Sequence, residues 1–241
     1  MILEVHEASF GYSPERMVLE KLNFCPQRNL ISILAGVNGC GKSTLLKLLA
    51  GVLLPVCGEI LLDGVPLKSI PRRTLAEKVA YLPQNPVVPD SFTVAEYLDC
   101  IRYTLPVTQA AIHRAVEDTG IVHLLNRQFA ELSGGEKQRV FLAFILARNA
   151  EMLLLDEPFS ALDPAAFREL FNLLITLKER RDLTVIVTLH DINRALVYGE
   201  RIIGLKDKKI AFDLPPEAAV ARVPELYGLP AESVITQTFF V

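Results

Sequence analysis

A chain of 241 residues can bury a large core, and fits one sizeable domain or one domain carrying a small inserted lobe. Hydrophobic residues make up 51%, charged residues 22%, and the formal net charge is −3. With a pI near 5.9 there is no basic footprint to invite nucleic acid, and none is expected as a partner.

The four cysteines, Cys25, Cys40, Cys57 and Cys100, form no C-x-x-C pair and have no histidine at ligand spacing. They read as reduced thiols of a cytosolic protein, not as a disulfide framework or a zinc site. The opening MILEVHEASF carries acids and no basic lead, so it does not read as a signal peptide. No apolar stretch approaches the roughly 18 residues of a membrane span. A mean hydropathy of +0.31 then asks for strands buried on both faces and a docking surface for an apolar partner.

In chain order, the first strand signal is Leu30-Ile31-Ser32-Ile33-Leu34, followed by a helical pattern from Ser43 to Ala50. After Asn85-Pro86 and Val88-Pro89 the text changes: Val94–Tyr103 and Thr108–Thr119 read as helices, with no convincing strand from about 86 to 147. This predicts a helical lobe inserted into an α/β core. A helix follows over Gln138–Arg148, then a strand at Met152–Leu155. Another helix covers Pro164–Glu179, opened by a capping aspartate and a proline at its first position, and the next strand is Thr184–Thr188. The last two strands are nearly continuous in apolar residues, which predicts a parallel sheet covered on both faces. The tail reads as one helix, Pro216–Arg222, and a hairpin strand at Val234–Val241.

Three constellations carry chemistry. Gly36-Val37-Asn38-Gly39-Cys40-Gly41-Lys42-Ser43-Thr44 matches G-x-x-x-x-G-K-[ST] between a strand and a helix. Its glycines let backbone N–H groups wrap phosphates, the helix beginning near Lys42 adds its positive end, Lys42 reaches the β- and γ-phosphates, and Ser43 serves Mg²⁺. Cys40 reads as a bystander thiol. Leu153-Leu154-Leu155-Asp156-Glu157-Pro158 places an aspartate for Mg²⁺ at the end of a buried strand, with Glu157 beside it to polarise the attacking water. His190 closes the third strand, at the rim where open α/β sheets bind ligands. Gln84 sits where the core hands over to the helical lobe.

These residues, with ELSGGEKQRV at 131–140 and SALD at 160–163, resemble an ATP-binding cassette (ABC) ATPase over essentially the whole chain. The resemblance implies an α/β P-loop NTPase fold: a mainly parallel sheet, antiparallel N-terminal strands, a core of 1–85 and 148–241, and a helical signature subdomain at 86–147. It implies that ATP is held by Tyr12, stacking on adenine, and by Gly36, Asn38, Gly39, Cys40, Gly41, Lys42, Ser43 and Thr44. A tyrosine packed into the core is the other reading of Tyr12.

The implied catalytic groups are Glu157, His190, Lys42 and Gln84, with Ser43, Gln84 and Asp156 on Mg²⁺. Two subunits meet head to tail in this family, so Ser133, Gly134, Gly135, Glu136 and Asp163 would face the ATP of a second copy. In that position the serine hydroxyl, the uncovered glycine N–H groups and the positive end of a helix from about Gly135 all suit a γ-phosphate. Asp163 also has a capping role open to it.

YLPQ at 81–84, FTVAEYL at 92–98 and TLHDINRA at 188–195 are similar to the importer ATPases for iron–siderophore, haem and vitamin B12. Two departures are Val37, where proline is common, and Asn29, where glycine is usual; asparagine tolerates a left-handed turn. A transport reading requires integral permease subunits, a substrate-binding protein acting through them, and a peripheral position on the cytoplasmic face of the cell membrane. The permease would dock near Gln84 and residues 86–100, through Val87, Val88 and Phe92, unless those side chains simply pack the lobe. A small-molecule kinase has no use for LSGGE, and a chromosome-organising ATPase would need a long coiled coil between Thr44 and Ser133. A soluble ABC ATPase of iron–sulfur cluster assembly remains the alternative.

Overall fold

The three apolar runs become adjacent strands of one sheet. The computed structural model describes every residue except Pro14, Ala161 and 230–241, so the strand expected at Val234–Val241 lies outside the described residues. The chain begins with β1 (Leu3–Ser13), β2 (Arg16–Phe24), β3 (Ile31–Ala35) and α1 (Lys42–Leu49). Next come β4 (Cys57–Leu62), β5 (Val65–Pro66), α2 (Arg72–Lys78) and β6 (Val79–Leu82). Three helices follow, α3 (Val94–Asp99), α4 (Gln109–Thr119) and α5 (Gly134–Leu146), joined through short 3-10 turns. The chain then forms β7 (Met152–Leu155), α6 (Pro164–Arg181), β8 (Thr184–Thr188) and α7 (Ile192–Tyr198). After β9 (Arg201–Lys206) and β10 (Lys209–Leu214) come α8 (Pro216–Ala219) and α9 (Val223–Tyr227).

Six strands form one sheet in the order β10-β9-β3-β8-β7-β6, parallel from β9 to β6, with β10 antiparallel at its edge. Every residue of β3, β7 and β8 is buried. Their side chains alternate between two cores: Ile31, Ile33, Leu153, Leu155, Val185 and Val187 join one, while Leu34, Leu154 and Ile186 join the other. Burial on both faces is why these strands lack a polar alternation. The first core is completed by helices, including Val94, Ile112, Val140 and Phe171. The second is closed by α1 and by the four-stranded antiparallel sheet β2-β1-β4-β5, through Leu3, Val5, Leu19 and Leu45. Among the described residues of 86–147, the β-pairing is a single bridge, Thr93 with Gln128.

Element ends follow capping chemistry more than apolar pattern. α5 starts at Gly134 because Ser133 caps it, six residues before its first apolar residue, Val140, and four before the start expected at Gln138. α6 opens as expected: Oδ1 of Asp163 accepts from the N–H groups of Ala165 and Ala166, both at 2.9 Å. Asn29 has φ +59, the left-handed conformation anticipated for it. The helix expected at 216–222 is α8 plus a 3-10 turn, and α9 then begins with Pro224 in its first turn, a residue with no N–H to continue a ladder.

Candidate nucleotide site at the carboxyl edge of the sheet

β3 delivers the chain to a loop that turns into α1. A Cβ on Gly36 (φ +155) would lie 2.4 Å from the Leu205 carbonyl oxygen and 2.8 Å from Cys40 Sγ, so only glycine fits. Gly41 is less crowded, a Cβ there lying 2.9 Å from Leu19 Cδ2, but its φ of +111 still favours glycine. Gly39 (φ +78) has open space around it, and its requirement is conformational alone. Asn38 and Gly39 form the exposed tip with Val37. No side chain caps α1, which leaves its first N–H groups pointing into the loop for a ligand.

Lys42 is buried, and its Nζ donates to the carbonyls of Gly36 (2.8 Å) and Val37 (3.1 Å). Thr44 Oγ1 lies 3.2 Å from the hydroxyl of Tyr12, whose ring stands edge-on to Phe10. Tyr12 is 59% exposed, so its alternative as a core tyrosine does not hold. Burial pushes the Cys40 thiol up, against the opposing pull of Lys42, which keeps it a neutral thiol.

The acids converge on the same edge. Asp156, 2% exposed, accepts at Oδ1 from Ser43 Oγ and from Thr188 Oγ1, both at 3.0 Å, and at Oδ2 from the Tyr81 hydroxyl at 3.3 Å. Four elements therefore meet around one carboxylate. The parallel register, with Tyr81 opposite Leu154 and Leu155 opposite Val187, aligns the strand ends that make this possible. Burial and then the neighbouring Asp156 raise the Tyr81 pKa, so it stays a neutral donor. The pair Ser43 Oγ and Asp156 Oδ1 is a set of hard oxygens suited to Mg²⁺, with phosphate oxygens to complete the shell.

Glu157 occupies the left-handed region at φ +49, unusual for a residue with a side chain. Its N–H donates to Thr188 Oγ1 at 2.7 Å, anchoring that turn. Its Oε2 accepts from Gln84 Nε2 at 2.5 Å and is also contacted by His190 Nε2. Gln84, Glu157 and His190 thus meet at one oxygen. His190 lies two residues beyond the end of β8, rather than closing the strand.

Ser133 and Glu136 are engaged with each other. Ser133 Oγ accepts from the Glu136 N–H at 3.3 Å, while Glu136 Oε2 accepts from the Ser133 N–H and hydroxyl, both at 2.8 Å. These bonds, led by the Ser133 N–H, hold the Glu136 carboxyl below the ordinary range. Gly134 and Gly135 are different: a Cβ on either would meet nothing within 4 Å, and neither has a positive φ. Alanine would favour the helix by about 1 kcal/mol at each position. Nothing in the chain's own fold asks for glycine there. Among the hydrogen bonds of the described residues, none joins 133–136 to the phosphate loop.

Of the expected docking residues, Val88 and Phe92 are half-buried against the main core and pack the helical region, whereas Val87 is 95% exposed. Two residues at the site were given no role from sequence, Thr188 and Tyr81. For Thr188 the available signal was a polar residue ending an otherwise apolar strand; Tyr81, one residue short of the end of β6, offered only a hydroxyl in an apolar run.

A phosphate-wrapping loop and acids gathered at the carboxyl ends of a parallel sheet define a P-loop nucleoside-triphosphatase. The model of the ABC transporter family matches residues 19–160, and the chain belongs to that family. It is 35% identical to the ferric enterobactin transport ATP-binding protein of Escherichia coli, covering 94% of this chain and 87% of that protein. It is 37% identical to a hemin import ATP-binding protein of Nocardia farcinica, covering 95% and 82%. Among solved structures, cbiO1 of Clostridium perfringens, part of the ABC transporter complex cbiONQ, superposes with TM-score 0.81 at 27% identity, covering 94% and 93%. A bacterial ABC transporter cassette solved as a dimer gives 0.77 at 26% identity, covering 89% and 98%. The chain is an ATP-hydrolysing, nucleotide-binding subunit that powers an importer.

Proposed function

We propose that two copies of this chain clasp two ATP molecules head to tail and that hydrolysis opens the clasp. The observation that carries this is the pair Gly134 and Gly135, which the chain's own packing leaves unexplained. At the N-terminus of α5 they expose backbone N–H groups, as a γ-phosphate brought by another copy would require. Ser133, Glu136 and Asp163 would face the same nucleotide, and the dimeric cassette among the structural relatives supports the arrangement.

Tyr12 stacks on adenine, and Gly36, Asn38, Gly39, Cys40, Gly41 and Thr44 wrap the phosphates. Lys42 exchanges its two loop carbonyls for phosphate oxygens. Ser43 and Asp156, with the Gln84 carbonyl, would hold Mg²⁺, which neutralises phosphate charge when bound. Glu157 accepts a proton from the attacking water as the new O–P bond forms and the β–γ bridge breaks to give ADP, and His190 contacts the γ-phosphate. Residues 86–147 act as the inserted lobe, moving against the core.

Among the described residues no helix is long and apolar enough to cross a membrane, so transport falls to integral permease partners. The chain would sit on them at the cytoplasmic face of the membrane, with a substrate-binding protein delivering cargo on the other side. The import and transport relatives favour this over a soluble assembly ATPase and point to a siderophore, haem or similar chelate as cargo. Glu157→Gln tests the clasp: ATPase should fall by about a hundredfold or more, and ATP with Mg²⁺ should shift the variant from monomer to dimer in light scattering. Wild-type turnover in that variant would overturn the assignment.

A further inference from the structure

The last described helix returns to the nucleotide site. α9 is fastened on β9: Lys206 Nζ donates to the Glu225 carbonyl at 2.7 Å, and Leu226 packs on Gly204, where a Cβ would lie 3.0 Å from its Cδ2. The next residue of β9, Leu205, presents its carbonyl to Gly36, the first glycine of the phosphate loop. α9 therefore flanks that loop. Its last residue, Tyr227, packs its ring on the main core and buries its hydroxyl. That hydroxyl has no hydrogen-bond partner among the described residues. Burial raises its pKa, the N–H of Gly36 pulls it back, and Cys40 and Asp191 add to the rise. Groups of the phosphate loop and of the turn carrying His190 thus act on the hydroxyl, yet none closes a bond to it. The packing asks only for the ring. Phenylalanine would fill the same space without leaving a buried polar atom unpaired, which is costly.

We infer that Tyr227 is a positioning residue for the nucleotide: its hydroxyl accepts from the Gly36 N–H once ATP is bound, and the phosphate loop settles on it. In the empty loop Lys42 Nζ holds the carbonyls of Gly36 and Val37, at 2.8 and 3.1 Å. The inference rests on the reading that Lys42 gives up these carbonyls for phosphate oxygens. When it does, the start of the loop loses the donor that holds it and needs another anchor. The Tyr227 oxygen has already been taken out of water, so using it costs no further desolvation. An acceptor fixed in place before the ligand arrives also needs little reorganisation. The bond would join α9 to the catalytic loop, so that occupancy of the site is felt at the far end of the described chain.

Tyr227→Phe in the full chain keeps the ring and deletes the hydroxyl. Without nucleotide it should melt at or slightly above the wild type, because it removes an unpaired buried group. Its KM for ATP should rise about three- to tenfold, the worth of one hydrogen bond, while kcat stays within about twofold. In ¹⁵N-labelled protein, a non-hydrolysable ATP analogue with Mg²⁺ should move the Gly36 amide proton further downfield in the wild type than in Tyr227→Phe. A variant with the wild-type KM overturns the inference, as does an equal Gly36 shift in the two proteins. So does a melt lowered by the same amount with and without nucleotide, the mark of a packing role alone. The Lys42 ammonium signal separates this from the reading beneath it. A signal that ignores the nucleotide defeats the exchange and the inference with it, whereas a Lys42 response with equal KM in the two proteins defeats only the part given to Tyr227.

Discussion

Replacing Thr188 by valine keeps the shape of a fully buried residue and deletes one hydroxyl. That hydroxyl accepts from the Glu157 N–H at 2.7 Å and donates to Asp156 Oδ1 at 3.0 Å. The first loss strands a buried N–H, at about 1–3 kcal/mol, and the second removes a bond to a charged group worth about 1.5–3 kcal/mol. A destabilisation of about 3 kcal/mol is therefore expected, which lowers the melting temperature by about 6–12 °C in a chain of this size. ATPase should fall as well, because the same bond anchors the left-handed turn that aims Glu157. Thr188→Ser keeps both bonds and should recover activity, losing only about 1 kcal/mol with the methyl group. Calorimetry and phosphate release decide the matter. A valine variant that melts within about 2 °C of wild type and hydrolyses ATP normally refutes the account.

Gly135→Gln should raise monomer stability by about 0.5 kcal/mol through helix propensity, since its Cβ meets nothing within 4 Å. The same change should abolish ATP-dependent dimerisation in the Glu157→Gln background, and an intact dimer there removes the reason given for the glycine. A second expectation concerns pH. Glu136 has a folded pKa below its ordinary 4.5, so its capping contribution is complete above that value and is lost as pH falls through the lower folded pKa. Amide exchange at the first turn of α5 should accelerate over that acidic window. Glu136→Gln should flatten the response, and an unchanged pH dependence in that variant would show that the cap does not carry it.

The legible parts of the sequence were those where one physical demand acts on consecutive residues. Double-sided burial wrote β3, β7 and β8 as apolar runs, and phosphate wrapping wrote the loop at 36–44. The strands β1, β2 and β4 were not located because each is only partly covered. β2, for example, buries Leu19 and Leu22 among exposed neighbours and carries no clean alternation. Register shifts between β1 and β2 blur the pattern further. The apolar pattern alone placed the start of α5 late, at Gln138, because its first turn is capped by Ser133 and Glu136 and carries glycines whose reason lies outside the chain, whereas the family resemblance placed it near Gly135. The docking surface was left open for the same reason: sequence allowed Val87, Val88 and Phe92 either to stand free or to pack the lobe, and in space Val88 and Phe92 are half-buried while Val87 is 95% exposed.

By itself, the sequence determined the chemistry: a P-loop, an Asp–Glu pair and a signature helix belong to an ATPase whatever surrounds them. Tertiary structure alone decided how that chemistry is held. Thr188 and Tyr81 reach Asp156 only because parallel pairing sets the ends of β6, β7 and β8 side by side. Arg148, just past the end of α5, reaches the carbonyls of Ala76 and Val79 only because the fold brings that end against α2 and the start of β6. Residues far apart in the chain leave no joint pattern along it, since hydrogen bonds and charges act through space and not through sequence.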